Sequence, residues 1–176
     1  MKQQEKEIIL EKIYRVAYEF ERDSHGCAQA TVKALMEIFD IDPIVLKIAS
    51  PCSGGLANGG LGPCGALIGG TMIIGYFFGR DINNIHISGR KFKDRKLMNR
   101  LRDIFHRKYQ GETCREVQKN VFGHSFNLLT EKGKKDFDLE NGHIDKCPNV
   151  VGTAVKWIAE ILLEEGISLK ENLITK

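Results

Sequence analysis

The sequence predicts an all-α protein, a compact bundle of six or seven helices with one glycine-rich loop. Three observations carry this: apolar residues recur at helical spacing in successive segments, glycine-rich breaks separate those segments, and no stretch alternates apolar and polar residues as a half-buried strand would. The 176 residues, 42% hydrophobic and 28% charged, match an ordinary globular composition and suit a single helical domain over residues 1–176. A chain of this size buries enough surface to fold without a disulfide or a structural metal.

The first helix carries Ile8, Ile9, Ile13, Val16, Ala17 and Phe20 at amphipathic spacing. Ser24 is the expected N-cap of a second helix through Cys27, Ala28, Ala30, Thr31, Ala34, Leu35 and Ile38, and Asp42-Pro43 starts a short third one ending near Ala49. Residues 51–62 then hold five glycines, so this stretch is read as a loop whose backbone reaches conformations closed to bulkier residues. Pro63 fits the first position of a helix that is apolar nearly all round (Ala66, Leu67, Ile68, Met72, Ile73, Phe77) and is expected at the centre of the bundle. A polar connection, Arg80 to Ser88, leads to a helix with Leu97, Leu101, Ile104 and Phe105 on one face, ended by Gly111. A shorter helix from about Thr113 to Phe122 follows. The segment from Gly123 to Asp145 reads as one more helical turn or a covering loop, and the last helix opens at Cys147-Pro148.

The N-terminal stretch is too charged for a signal peptide, and no segment reaches the roughly 18 apolar residues that span a bilayer. A cytoplasmic protein without membrane contact is expected. In a reducing compartment its five cysteines are catalytic, redox-sensing or metal-binding more often than bridged, the plain alternative being small buried hydrophobes. Cys27, Cys64, Cys114 and Cys147 fall at predicted helix N-termini, where unpaired N–H groups and the helix dipole favour a thiolate. Cys52 lies in the loop. There is no C-x-x-C and no C-x-x-C-H, which argues against a thioredoxin-like motif or zinc ribbon and leaves no c-type haem attachment. Glycines around Cys52 and Cys64 would let backbone amides point at sulfur.

Cys52, Gly-Pro-Cys64-Gly-Ala-Leu-Ile-Gly69, Cys114 and Cys147 resemble the redox-active family named after its C, GCAxxG, C, C signature. Gly26-Cys27-Ala28-Gln29-Ala30 resembles the opening of such proteins, so the likeness runs from about Ser24 to Leu163; Gly65 stands between Cys64 and Ala66 where the family name has CAxxG. The resemblance implies a redox or metal role. The chain is also similar to part of the split-Soret cytochromes, which carry haem and an iron–sulfur cluster; without a haem motif only the cluster could carry over.

Cys52, Cys64, Cys114 and Cys147 are thus expected to hold an iron–sulfur cluster or another thiophilic metal for electron transfer. Cys52 and Cys64 are the reversible pair of the alternative, a metal-free thiol–disulfide oxidoreductase, and a helical interaction module with structural cysteines is the third reading. Enzyme status and homodimer formation stay open. His25, His124 and His143 lie near cysteines in sequence and read first as polar loop residues, while Asp145 and Lys146 flank Cys147 with opposing effects on its thiol. From Arg90 to Lys108 nine basic residues face two acidic ones, a local +7 against −4 elsewhere. A solvated helix face is the first reading, a docking surface for an acidic redox partner the second. The aromatics in this run are not interleaved with the charges in the manner of a single-strand binding groove.

Overall fold

A computed structural model describes residues 3–86 and 92–171. Eight α-helices are present among them, in chain order α1 (Gln3–Ser24), α2 (Cys27–Ile38), α3 (Ile44–Ile48), α4 (Gly65–Phe78), α5 (Lys93–Tyr109), α6 (Cys114–Phe122), α7 (Glu131–Leu139) and α8 (Cys147–Glu164). No strand occurs among the described residues beyond one isolated bridge between Pro63 and Thr113. The all-helical expectation holds. The additional helix is α7, which the sequence left as a turn or loop because its nine residues carry only Phe137 and Leu139 as large apolar side chains.

The core lies where α1, α2, α4 and α8 pack on one another, and α8 supplies much of it through Val150, Val151, Val155, Ile158, Ile161 and Leu162. The expectation that α4 sits at the centre needs correction. Its Ala66, Leu67, Ile73 and Ile74 are buried, but Thr71, Gly75 and Tyr76 face outward; an all-apolar helix rich in glycine lets neighbours close in without being enclosed. In α1 the buried stripe is Leu10, Ile13 and Ala17, while Ile8 is exposed. That stripe continues one turn further, to Glu21.

The start of α2 also differs from expectation. Ser24 is the last residue of α1, its hydroxyl bonded back to the Phe20 carbonyl, and Gly26 is the N-cap. Between them His25 takes a left-handed φ of 55° and donates its N–H to the Glu21 carbonyl at 2.9 Å, which ends α1 and turns the chain at once into α2.

The basic helix α5 buries Leu97, Leu101, Phe105 and Tyr109. On its outer side Lys93 meets Glu165 at 2.7 Å and Arg100 meets Glu164 at 2.7 Å, so α8 answers part of its charge. Ser88, Arg90 and Lys91 of the sequence reading lie outside the described residues. No helix among the described residues is long and apolar enough to cross a membrane.

Candidate functional site

Four cysteines meet at one cavity because four helices begin there. Cys27 is the first residue of α2, Cys64 the N-cap of α4, and Cys114 and Cys147 are the first residues of α6 and α8. The placement at helix starts expected from sequence is therefore present at all four. Their joint cavity has a volume of about 270 Å³, and Glu21, His25, Ser53 and His143 also line it.

Local backbone pairing explains how sequence-distant sulfurs converge. The Cys64 N–H donates to the Glu112 carbonyl at 2.7 Å and the Cys114 N–H to the Gly62 carbonyl at 3.0 Å. This two-way pairing, with the Pro63–Thr113 bridge between, clamps the start of α4 to the start of α6. Thr113 caps α6 with a full capping box, its hydroxyl accepting from the Glu116 N–H while the Glu116 carboxylate accepts from the Thr113 N–H.

The glycine-rich loop brings backbone against sulfur. Gly54, Gly55, Leu56, Ala57 and Asn58 all have φ between 46° and 72°, a single left-handed turn that places the Gly54 N–H beside the Cys27 sulfur. Three of these residues are not glycine, and each such residue in the left-handed region costs roughly 1–2 kcal/mol; backbone strain of this kind gathers at functional sites. Two glycines are required by close approach. A Cβ on Gly65 would stand 2.1 Å from Cys27 Sγ, and one on Gly55 would stand 2.8 Å from Cys114 Cβ.

Cys52 is not part of this arrangement. It ends a short 3-10 turn, Ser50–Cys52, and its Sγ lies nearest the Ile48 carbonyl, 3.9 Å away. The sequence pairing of Cys52 with Cys64 drew on their short separation across a glycine-rich loop, but Cys52 is not among the residues that line the cavity. Cys27, regarded from sequence as an accessory thiol, faces it instead. Of the histidines, His25 and His143 line the cavity and His124 does not; it pairs with Glu140 at 3.1 Å. Asp145 is engaged by Tyr18 and Asn149, away from the sulfur of Cys147.

Electrostatics reverse one expectation. Cys64 is buried, and Cys27, Cys114 and Cys147 keep only part of their surface exposed, toward the cavity. Burial pushes the Cys27 thiol up to about 12, with the Glu21 charge adding to it and the Gly54 N–H offsetting it in part. Cys114 is pushed to about 11 by burial against a smaller opposing effect of Arg115, and Cys64 and Cys147 stand well above the ordinary thiol range for the same reason. Amide groups at the helix starts, such as Ala66 and Leu67 N–H at Cys64, do favour the thiolate. Loss of hydration outweighs them, so burial favours the thiol over the thiolate at all four.

Glu21 was not singled out from sequence. It is only 2% exposed, and its Oε2 has no hydrogen-bond partner. His143 Nδ1 lies 3.7 Å from Glu21 Oε1, beyond hydrogen-bond distance, and is itself unpartnered. His25 stacks on His143 with ring centres 3.8 Å apart. The legible signal was an acidic residue placed four positions after Ala17, on the buried stripe of α1.

A metal group can be tested against this donor set. Among the described residues no three His, Cys, Asp or Glu side chains converge closely enough to hold one ion, whose sulfur ligands would stand about 2.3 Å from it. Four cysteines spread around a roomy cavity instead match the ligand number and type of a multinuclear iron–sulfur cluster.

An all-helical chain whose helix starts deliver four cysteines to one cavity belongs to the class of cysteine-based redox proteins. Over residues 25–161 it matches the model of the family described as putative redox-active protein (C_GCAxxG_C_C), and since that covers more than half of the chain, the protein is a member of this family. Neither the curated proteins nor the solved structures contain a match.

Proposed function

We propose that Cys27, Cys64, Cys114 and Cys147 together form the redox centre, and that they hold an iron–sulfur cluster or a comparable multinuclear thiolate-bound metal group used for electron transfer. The observation that supports this most is their convergence on one cavity from four separate helix starts. Cys27 replaces Cys52 in the ligand set read from sequence. When bound, such a group supplies one-electron chemistry at a potential set by hydrogen bonds to sulfur and by burial. The chain's own contribution is then clear: Gly54 N–H at Cys27 and Ala66 and Leu67 N–H at Cys64 donate toward sulfur, Gln118 Nε2 stands 3.5 Å from Cys114 Sγ, and Phe137 and Val150 keep bulk water from the walls.

Protein purified without oxygen should be brown, with visible absorption and equivalent iron and acid-labile sulfide; colourless protein lacking both overturns the metal reading. One observation favours a second reading. Four cysteines share one cavity and, among the described residues, no three donors meet at a point, which suits metal-free dithiol chemistry: two cavity thiols become a disulfide, and their two electrons and two protons convert a disulfide substrate to two thiols. Mass spectrometry after mild oxidation would then find a bridge among the four cavity cysteines, with Cys52 free.

A further inference from the structure

Three buried polar atoms without hydrogen-bond partners belong to residues lining this cavity: Glu21 Oε2, His143 Nδ1 and Ser53 Oγ. Buried polar groups in folded proteins are almost always paired, and three orphans on one wall mark a surface shaped for something that brings the missing partners. Ser53 is close to Cys27 yet reaches no acceptor or donor at hydrogen-bond geometry. The Cys27 sulfur accounts in part for Ser53, but Glu21 Oε2 and His143 Nδ1 stay without a hydrogen-bond partner.

Glu21 dictates the chemistry. Its carboxyl is almost wholly enclosed, and a buried carboxylate is stable only when a charge or several donors compensate it. The ion-pair partner it has among the described residues is the imidazole of His143, at 3.7 Å from the other oxygen. Lys134, also on the cavity wall, is held by Glu131 at 2.8 Å. Apolar side chains line the same cavity, among them Val121, Phe122, Leu128 and Phe137, with the Phe122 and Phe137 rings 5.5 Å apart and the Phe137 ring edge-on to His143 at 4.9 Å. The cavity therefore offers unpartnered polar atoms for a hydrogen-bonding cation and, beside them, aromatic surface for a hydrocarbon or aromatic body.

We propose that the cavity is also a binding site for a small organic cation, its protonated nitrogen on Glu21 Oε2, Ser53 Oγ and His143 Nδ1 and its apolar body against Phe122 and Phe137. The site would place that molecule within the same cavity as the four sulfurs. This deepens the redox reading of the cavity but does not depend on a metal being there.

The test uses the full chain under anaerobic conditions, as isolated and again after metal removal, titrated by calorimetry with benzylamine, benzamide and benzoate. Benzylamine, protonated at neutral pH, should bind at least about tenfold more tightly than benzamide, and benzoate least, a factor of ten being about 1.4 kcal/mol. Glu21→Gln should erase the advantage of benzylamine over benzamide, and benzylamine should slow iodoacetamide labelling of Cys27 and Cys147 while leaving Cys52 unaffected. Absence of benzylamine binding, benzamide or benzoate ranking first, or undiminished binding by a folded Glu21→Gln protein each overturns the proposal. The ranking in unsubstituted protein decides the matter even if that variant fails to fold. Iron content, read separately on the same samples, decides the metal reading without touching this one.

Discussion

Two charged regions of this protein invite comparison. Helix α5 displays its charge as a dense basic run, exposed and met by Glu164 and Glu165 at 2.7 Å; of the two acidic residues lining the cavity, Asp138 is exposed and Glu21 is enclosed, without a partner at Oε2. The abundant charge sits in water, where an ion pair contributes little. The enclosed one sits where its solvation is lost, so a single group there matters more than the whole exposed run. Charge density along a sequence is thus a poor guide to where electrostatics act.

The largest expected effect tests whether the cavity, and not any cysteine, carries the redox chemistry. Cys64→Ser should remove most of the bound iron or, in the dithiol reading, most of the reversible oxidation, whereas Cys52→Ser should leave either at the level of the unsubstituted protein. Equal losses in iron, sulfide and thiol titration would restore Cys52 to the site.

Packing at the same site comes next. Gly65→Ala would bring a methyl group 2.1 Å from Cys27 Sγ and 2.9 Å from the backbone nitrogen of Ala28, so α2 and α4 must move apart. A loss of about 1–3 kcal/mol in urea unfolding is expected, accompanied by faster alkylation of Cys27.

Glu21 then sharpens the comparison through pH. Burial raises its carboxyl above the ordinary range, opposed in part by His143, so the folded protein holds this proton more tightly than the unfolded chain. Stability from this group is complete below the unfolded carboxyl range and falls as pH rises through the folded value. Glu21→Gln should therefore stabilise metal-free protein at pH 7, by about 1–3 kcal/mol, with the gain shrinking toward pH 4. The raised thiols act in the same sense at the alkaline end, and metal-free protein should lose stability above about pH 9 as thiols ionise more readily unfolded than folded.

The smallest effect belongs to α5. Lys93→Ala or Arg100→Ala should change stability by no more than about 1 kcal/mol, and the difference should fade in high salt. A loss comparable to Gly65→Ala would contradict the contrast drawn here.

Much of the fold was legible because helices announce themselves locally: periodic apolar residues placed α1, α2, α5 and α8, and the capping residues Thr113 and Pro148 marked two of the cysteine-bearing starts. Four cysteines at helix starts could be read for the same reason. Their convergence could not, because it depends on the pairing of residues 62–64 with 112–114 and on the left-handed turn at 54–58, and neither leaves a periodic trace. Cys52 was preferred to Cys27 because it fell in the C, GCAxxG, C, C pattern, whereas Cys27 is the one that lines the cavity. Glu21 escaped notice because an acidic residue near the end of an amphipathic helix looks solvated until the neighbouring helices are in place.

Since each cavity sulfur begins a different helix, the four thiols also form a set of local reporters on helix opening. A helix that frays at its first turn must expose its own cysteine before the others, so residue-resolved alkylation rates under native conditions would rank the opening free energies of α2, α4, α6 and α8. Such a stability map would be read from cysteines the chain already carries.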